Sequence, residues 1–208
     1  MFSNNDYNSN MGIGTKIFGP IFWSMLHIIS FNYPINPTEE NKDDYHKYLM
    51  SIKNILPCKS CRDNYIVNLK ATKYGRDKLK NREVFSRFIY DLHNTVNKML
   101  GKKNFSTYED VRDKYELFRA KCVDNTPTDT RIETGCTIPV NNTKIQSIIH
   151  IVPLKKNGDS FVIDKVCLKN IGNKKTSKKA SKKSSKKASK KTQKKISKKT
   201  SKKKALKK

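Results

Sequence analysis

Apolar positions recur at helical spacing through the first half of the chain and then lose that period. A run beginning at Pro20 puts Trp23, Leu26, His27 and Ser30 on one helical face. Tyr33-Pro34 ends it, because the residue before a proline is driven out of the α region. Thr38-Glu39-Glu40 predicts the next helix start, with a capping hydroxyl and acids in the first turn, and this helix runs to Asn54. A third helix begins at Pro57-Cys58 and carries Cys61, Tyr65 and Leu69, followed by a basic loop with Gly75. Between Arg82 and Leu100, Phe85, Phe88, Ile89, Leu92, Val96 and Leu100 repeat at i, i+3, i+4 spacing, and Gly101 is a natural C-cap. A fifth, shorter helix is expected from Thr107 to Lys121, carrying Val111, Tyr115 and Phe118. The pattern predicts an all-α domain over residues 14–122: a four-helix bundle plus a short fifth helix, preceded by a polar arm, residues 1–13.

Beyond it the residue types change. Ile145 to Val152 and Ser160 to Val166 are rich in β-branched residues, with Asn157-Gly158-Asp159 between them. They predict a β-hairpin within a small β-rich extension, residues 123–170. From 171 to 208 the chain is a Ser-Lys-Lys repeat of period four with almost no apolar residue, which is expected to stay disordered.

Charge sharpens this division. Of 45 basic residues, nineteen lie in that tail, which has no acid; residues 1–170 keep 26 basic against 18 acidic. The net charge of +27 is therefore mostly the tail's, and its lysines suit nucleic acid or anionic surfaces without sequence preference. No secretory signal or membrane span is legible, so a soluble, cytoplasmic protein is expected.

The chemistry centres on Cys58-Lys59-Ser60-Cys61. Two residues between thiols permit a bridge across one helical turn, and a helix start stabilises a thiolate, with Lys59 and Arg62 adding charge. Alone, the motif also fits half a zinc site, a thioredoxin-like pair or a buried structural pair. No second CxxC completes the first, and no βαβ pattern surrounds the motif to support the second. Trp23 and His27, like His93 and Asn97, stand one turn apart, so each pair projects from one helical edge. A flat polar cofactor bound between helices would use such groups.

Taken together, Gly19-x-x-x-Trp23-x-x-x-His27, Pro57-Cys58-x-x-Cys61 and His93-Asn94-x-Val96-Asn97-x-x-Leu100-Gly101-Lys102 resemble the Erv/ALR family of FAD-linked sulfhydryl oxidases, over residues 14–116. The resemblance implies a homodimeric helical bundle holding FAD. Cys58 and Cys61 would be the redox pair. Gly19, Trp23, His27, His93, Asn94, Val96, Asn97 and Lys102 would be at the cofactor, and Tyr115 would stand where the family has a tryptophan. It further implies that protein dithiols or a thioredoxin-like carrier reduce the Cys58–Cys61 bridge, Cys58 being attacked and Cys61 facing the flavin, and that dioxygen becomes hydrogen peroxide. No metal is expected. Gly19-Pro20 is common in members encoded by large DNA viruses, which would place the protein in a host cytoplasm or virion. A second bridge of many members is missing: Tyr90 and Thr107 occupy its cysteine positions.

Five cysteines cannot all pair within one chain. The preferred further bridge is Cys136–Cys167, leaving Cys122 free; the competing choice is Cys122–Cys136 acting as a relay. Two other functions remain in play. One is a basic nucleic-acid-associated structural protein with a helical dimerisation module; the other is a flavin-free thiol-disulfide isomerase.

Overall fold

The computed structural model describes residues 3, 5–105, 107–123, 135–141, 144–153, 159 and 161–167. Helix α1 is Thr15–Phe31, α2 Glu39–Ile55, α3 Lys59–Ala71, α4 Arg82–Met99 and α5 Tyr108–Glu116; strands β1, Ala120–Val123, and β2, Gly135–Pro139, follow. Helix α1 starts five residues before Pro20, where the apolar run begins, so this proline lies inside the helix and forgoes one backbone hydrogen bond.

Local chemistry sets the other starts. Thr38 and Asn41 form a reciprocal capping box on α2, each side chain accepting the other's amide at 3.1 Å. Asn81 caps α4 by accepting the Val84 amide at 2.9 Å, and Thr107 caps α5 by accepting that of Asp110 at 3.0 Å. Gly101 closes α4 with φ +64°, a conformation that favours glycine.

Helix α1 packs chiefly on α4, α2 on α3, and α5 on α1 and α4. Their inward faces share one core in which Leu26, Leu49, Ile52, Phe85, Ile89 and Leu92 are essentially fully enclosed. Truncating any of these leucines to alanine costs about 2–5 kcal/mol. A 3₁₀ turn, Arg76–Leu79, plugs one end: Leu79 is enclosed, and its carbonyl accepts the buried Tyr33 hydroxyl at 2.9 Å.

A second cluster holds α5. Phe31, Tyr108 and Val111 are buried there with Tyr90, Phe105 and Tyr115 against them. The Tyr108 hydroxyl and Ser86 Oγ are 2.7 Å apart, and the Arg87 guanidinium lies 4.1 Å above the Tyr108 ring. Rings and one hydroxyl pair thus join α5 to α4, where Tyr90 and Thr107 replace a bridge.

Helix α5 ends at Glu116, short of the expected Lys121, because residues 120–123 pair antiparallel with β2. Arg119 ties this hairpin to the helices: it bonds both Glu116 carboxylate oxygens (2.6 and 2.8 Å) and the Phe31 carbonyl (2.6 Å), and its own carbonyl accepts the Val140 amide at 3.0 Å. The expected later hairpin is corrected. Residues 144–153 contain no strand, and Ile148, Ile149, Ile151 and Val152 are all exposed, so among the described residues nothing offers that β-branched run a face to bury. Its expected turn at 157–158, and the lysine tail, lie outside the described residues.

The cysteine pairing is also corrected. The β1–β2 register sets Cys122 opposite Cys136, and these two form the disulfide; Cys167 is a free thiol. Residues 163–208 form a second unit, of which 163–167 are described; there the Cys167 amide donates to the Asp164 carbonyl at 3.0 Å.

Candidate active site

Cys58 is the N-cap of α3. Its extended backbone (φ −152°, ψ 121°) turns the sulfur back over the first turn, where it accepts the Cys61 amide at 3.3 Å and lies 3.2 Å from Ser60 Oγ. The two cysteines are bridged, with Cα atoms 5.2 Å apart. Unpaired amides and the helix dipole favour negative charge here, so a sulfur released at this point is stabilised as thiolate. Both cysteines are partly buried, and Cys61 packs against the main core, as does Trp23. The flanking charges differ from expectation: Lys59 is paired with Asp63 at 2.8 Å, and Arg62 is buried on backbone carbonyls.

Helices α1, α4 and α5 bring the second group of residues together. Trp23 and His93 stack with centroids 4.0 Å apart and planes within 4°. His27 Nε2 and His93 Nδ1 are hydrogen-bonded at 3.1 Å. Tyr115 stacks on the His27 ring at 5.1 Å. Phe105 stands edge-on to both imidazoles, 4.7 Å from His93 and 6.0 Å from His27.

Burial sets the protonation of this cluster. His27 is 1% exposed, and desolvation lowers its pKa from 6.5 to about 4. Burial, then the neighbouring His27 and the Lys102 charge, lowers His93 to about 3. Both imidazoles are therefore neutral at pH 7, so their shared hydrogen bond has one donor and one acceptor. Burial raises the Tyr115 phenol to about 12, so it stays protonated.

The remaining motif residues hold varied positions. Asn97 is buried on α4, and its carbonyl accepts the Lys102 amide at 2.8 Å, closing the turn that presents Lys102 to solvent. The Asn94 side-chain oxygen accepts the Phe105 amide at 3.0 Å, pinning the 101–107 loop and leaving its NH2 group for other partners. Val96 is partly buried. Gly19 faces open space, with no atom within 4 Å of where a Cβ would stand. Phe105 and Phe31 are further members of the cluster that the motifs do not mark; Phe105 sits in a loop, where no period signals burial.

One polar atom in this cluster is orphaned: His27 Nδ1 is buried without a partner, a costly state that a ligand group can relieve. With the aromatic faces, the free space at Gly19 and the Lys102 ammonium, the donor set fits a flat cofactor bearing phosphates, as FAD does.

The sequence comparisons with known proteins agree. Residues 20–116 match the Erv1/Alr family. A probable FAD-linked sulfhydryl oxidase of Acanthamoeba polyphaga mimivirus is 40% identical over 81 residues, covering 39% of this chain and 57% of that protein. A putative FAD-linked sulfhydryl oxidase of Invertebrate iridescent virus 6 is 38% identical over 96 residues, covering 43% of this chain and 85% of that protein. The crystal structure of the yeast Erv1 core aligns with a TM-score of 0.45 and 23% identity, over 55% of this chain and 94% of that one.

Proposed function

This chain belongs to the Erv1/Alr family, and on that premise we propose that it is a FAD-linked sulfhydryl oxidase, converting a dithiol and dioxygen into a disulfide and hydrogen peroxide. One observation carries the reading. A disulfide capping α3 shares a helical bundle with a cluster of flat rings around an orphaned imidazole nitrogen.

In the exchange step a substrate thiolate attacks Cys58 Sγ. The Cys58–Cys61 bond breaks and the electron pair leaves on Cys61. The second substrate thiol, deprotonated, attacks the substrate sulfur of the mixed disulfide, and Cys58 leaves as a thiolate stabilised by the Cys61 amide. Packing of Cys61 against the core supports its assignment as the inner sulfur. Trp23 and Tyr115 would offer ring faces to FAD, with Gly19 and Val96 lining its site. His27, His93, Asn94 and Asn97 would offer hydrogen bonds, and Lys102 would meet its phosphates. Bound FAD supplies a two-electron acceptor for the reduced pair and a route to dioxygen. Neutral His27 and His93 keep uncompensated positive charge out of this interior.

Two partner readings accompany this. Ile17, Ile21, Met25 and Ile28 form an exposed apolar stripe along α1, which suits a second copy of the chain. The lysine-rich tail, by composition, suits polyanions, with binding that weakens as salt rises.

The test is the colour of the purified protein. A yellow protein with stoichiometric FAD that consumes oxygen with a small dithiol is expected. A folded but colourless protein that takes up no FAD would falsify the reading and favour the flavin-free isomerase or the structural alternative.

A further inference from the structure

The N-terminal arm contains no cysteine, yet it lies on the backbone that carries one. The end of a helix leaves carbonyls without partners, and here the turn joining α2 to α3 finds them in two places. The Asn54 carbonyl accepts the Tyr7 hydroxyl, and the Pro57 carbonyl accepts the Ile13 amide at 3.0 Å. The Leu56 carbonyl accepts Arg62 Nη1 at 2.7 Å.

Arg62 itself depends on the arm. It is 7% exposed and forms no ion pair among the described residues. Its Nη2 donates to the Tyr7 carbonyl, and its guanidinium lies 3.9 Å above the Tyr7 ring. A buried cation is expensive unless hydrogen-bonded, so these contacts secure the arm and the Arg62 side chain together. Gly12 shows how closely the arm approaches. A Cβ there would stand 2.5 Å from the Pro57 carbonyl oxygen and 3.4 Å from the Cys58 Cα, so only glycine lets backbone lie on backbone.

We propose that Tyr7 and Gly12 are positioning residues for the redox pair: through them the arm straps the Pro57–Cys58 turn and keeps the two sulfurs within bonding reach as the bridge opens and closes. Cys58 Sγ is hydrogen-bonded to Ser60 and Cys61, not to either of these residues. Cys58 caps α3 from a turn whose carbonyls the arm itself occupies, so releasing the arm frees that cap to wander. The open dithiol then gains conformations and the bridge becomes easier to reduce. This inference rests on the Cys58–Cys61 pair being redox-active.

The experiment measures the closing equilibrium of that bridge in the full chain with its flavin. The protein is held without oxygen in buffers of glutathione and glutathione disulfide, quenched in acid and alkylated, and the cysteine peptides are weighed. At equilibrium two glutathione thiols lose two electrons to the bridge and become glutathione disulfide; their two protons end on the released sulfurs. The Cys122–Cys136 bridge in the same sample is the internal reference.

Gly12→Val should lower the Cys58–Cys61 closing constant by about tenfold and Tyr7→Ala by about fivefold. Tyr7→Phe, which keeps the ring over Arg62, should stay within about twofold. The reference bridge should not move. Tyr7→Ala leaves the main chain able to pack, so it serves if Gly12→Val disrupts folding. A constant unchanged in Tyr7→Ala, or an equal shift in both bridges, overturns the proposal. Failure of the oxidase reading looks different: the unmodified protein would take up no oxygen with a small dithiol, whatever the closing constants.

Discussion

The molecule contains the same covalent bond in two surroundings. Cys58–Cys61 closes a separation of three residues at a helix start, and Cys122–Cys136 closes fourteen across an exposed hairpin. Loop entropy alone would stabilise them by roughly 2 and roughly 3 kcal/mol, a difference too small to tell a redox pair from a staple. The neighbours decide. Cys58 has a helix amide on its sulfur and, in the same bundle, a cluster of neutral imidazoles and rings. Cys122 and Cys136 both stand exposed on their strands. Reactivity here is a property of the groups that receive the charge when the bond breaks.

The sharpest way to break this comparison is to remove each bridge in turn. Cys61→Ser should lower dithiol-dependent oxygen uptake by about three orders of magnitude while the protein stays folded and yellow. Cys122→Ser should leave turnover of a small dithiol within about twofold. Oxygen electrode traces with the roles reversed would invert the assignment.

Acid should separate the surroundings next. His27 and His93 have folded pKa values near 4 and 3, below the unfolded 6.5, so between these limits the unfolded chain binds more protons than the native one. Their contribution is therefore fully present above pH 6.5 and is lost as pH falls toward 4. For the flavin-free protein this amounts to roughly 3 kcal/mol for His27 alone. Denaturant melts at pH 7, 5.5 and 4 check it, with His27→Asn flattening the profile; an already flat profile in the unmodified protein rules out the neutral buried pair.

A smaller effect concerns the rings. Trp23→Ala should weaken FAD binding by about tenfold, whereas Tyr115→Phe, which keeps its ring and loses only its hydroxyl, should cost about twofold. Titrating flavin fluorescence into the apoprotein measures both. Equal losses would mean that the hydroxyl, not the ring, is what the cofactor meets.

The hairpin bridge then meets its own test. Because it is exposed, bulky substrates can reach it, and as a relay its removal should slow a protein dithiol about threefold while sparing a small one. If Cys122→Ser and Cys136→Ser treat both substrates alike, the bridge is a staple. The least effect is expected from truncation after Asn170, which should leave small-dithiol turnover within about a fifth of normal while strongly weakening salt-sensitive binding to DNA or anionic surfaces. A large loss of activity would place the tail in the catalytic fold.

What could be read beforehand follows from what periodicity encodes. In α4, Phe85, Phe88, Ile89 and Leu92 are all buried, as their spacing requires. Capping chemistry at Thr38 and Asn81 is local and so survives in the sequence. The hydrogen bond between His27 and His93 spans 66 residues and leaves no local trace; only the joint motif suggested that the two meet. Phe105 had no such help. The β-branched run at 145–152 misled because β propensity reflects a pleated surface with partners, and among the described residues this run is exposed. The cysteine pairing was decided by strand register, which composition does not carry.

The union of α5 with α4 has a consequence of its own. Tyr108 against Ser86 and Arg87 grips equally well whether the surroundings are reducing or oxidising, because nothing in that contact changes oxidation state. The helical bundle can therefore assemble before any oxidant has acted on it. On the proposed oxidase reading, a maker of disulfides whose α4–α5 joint needs none avoids a circular dependence on its own product.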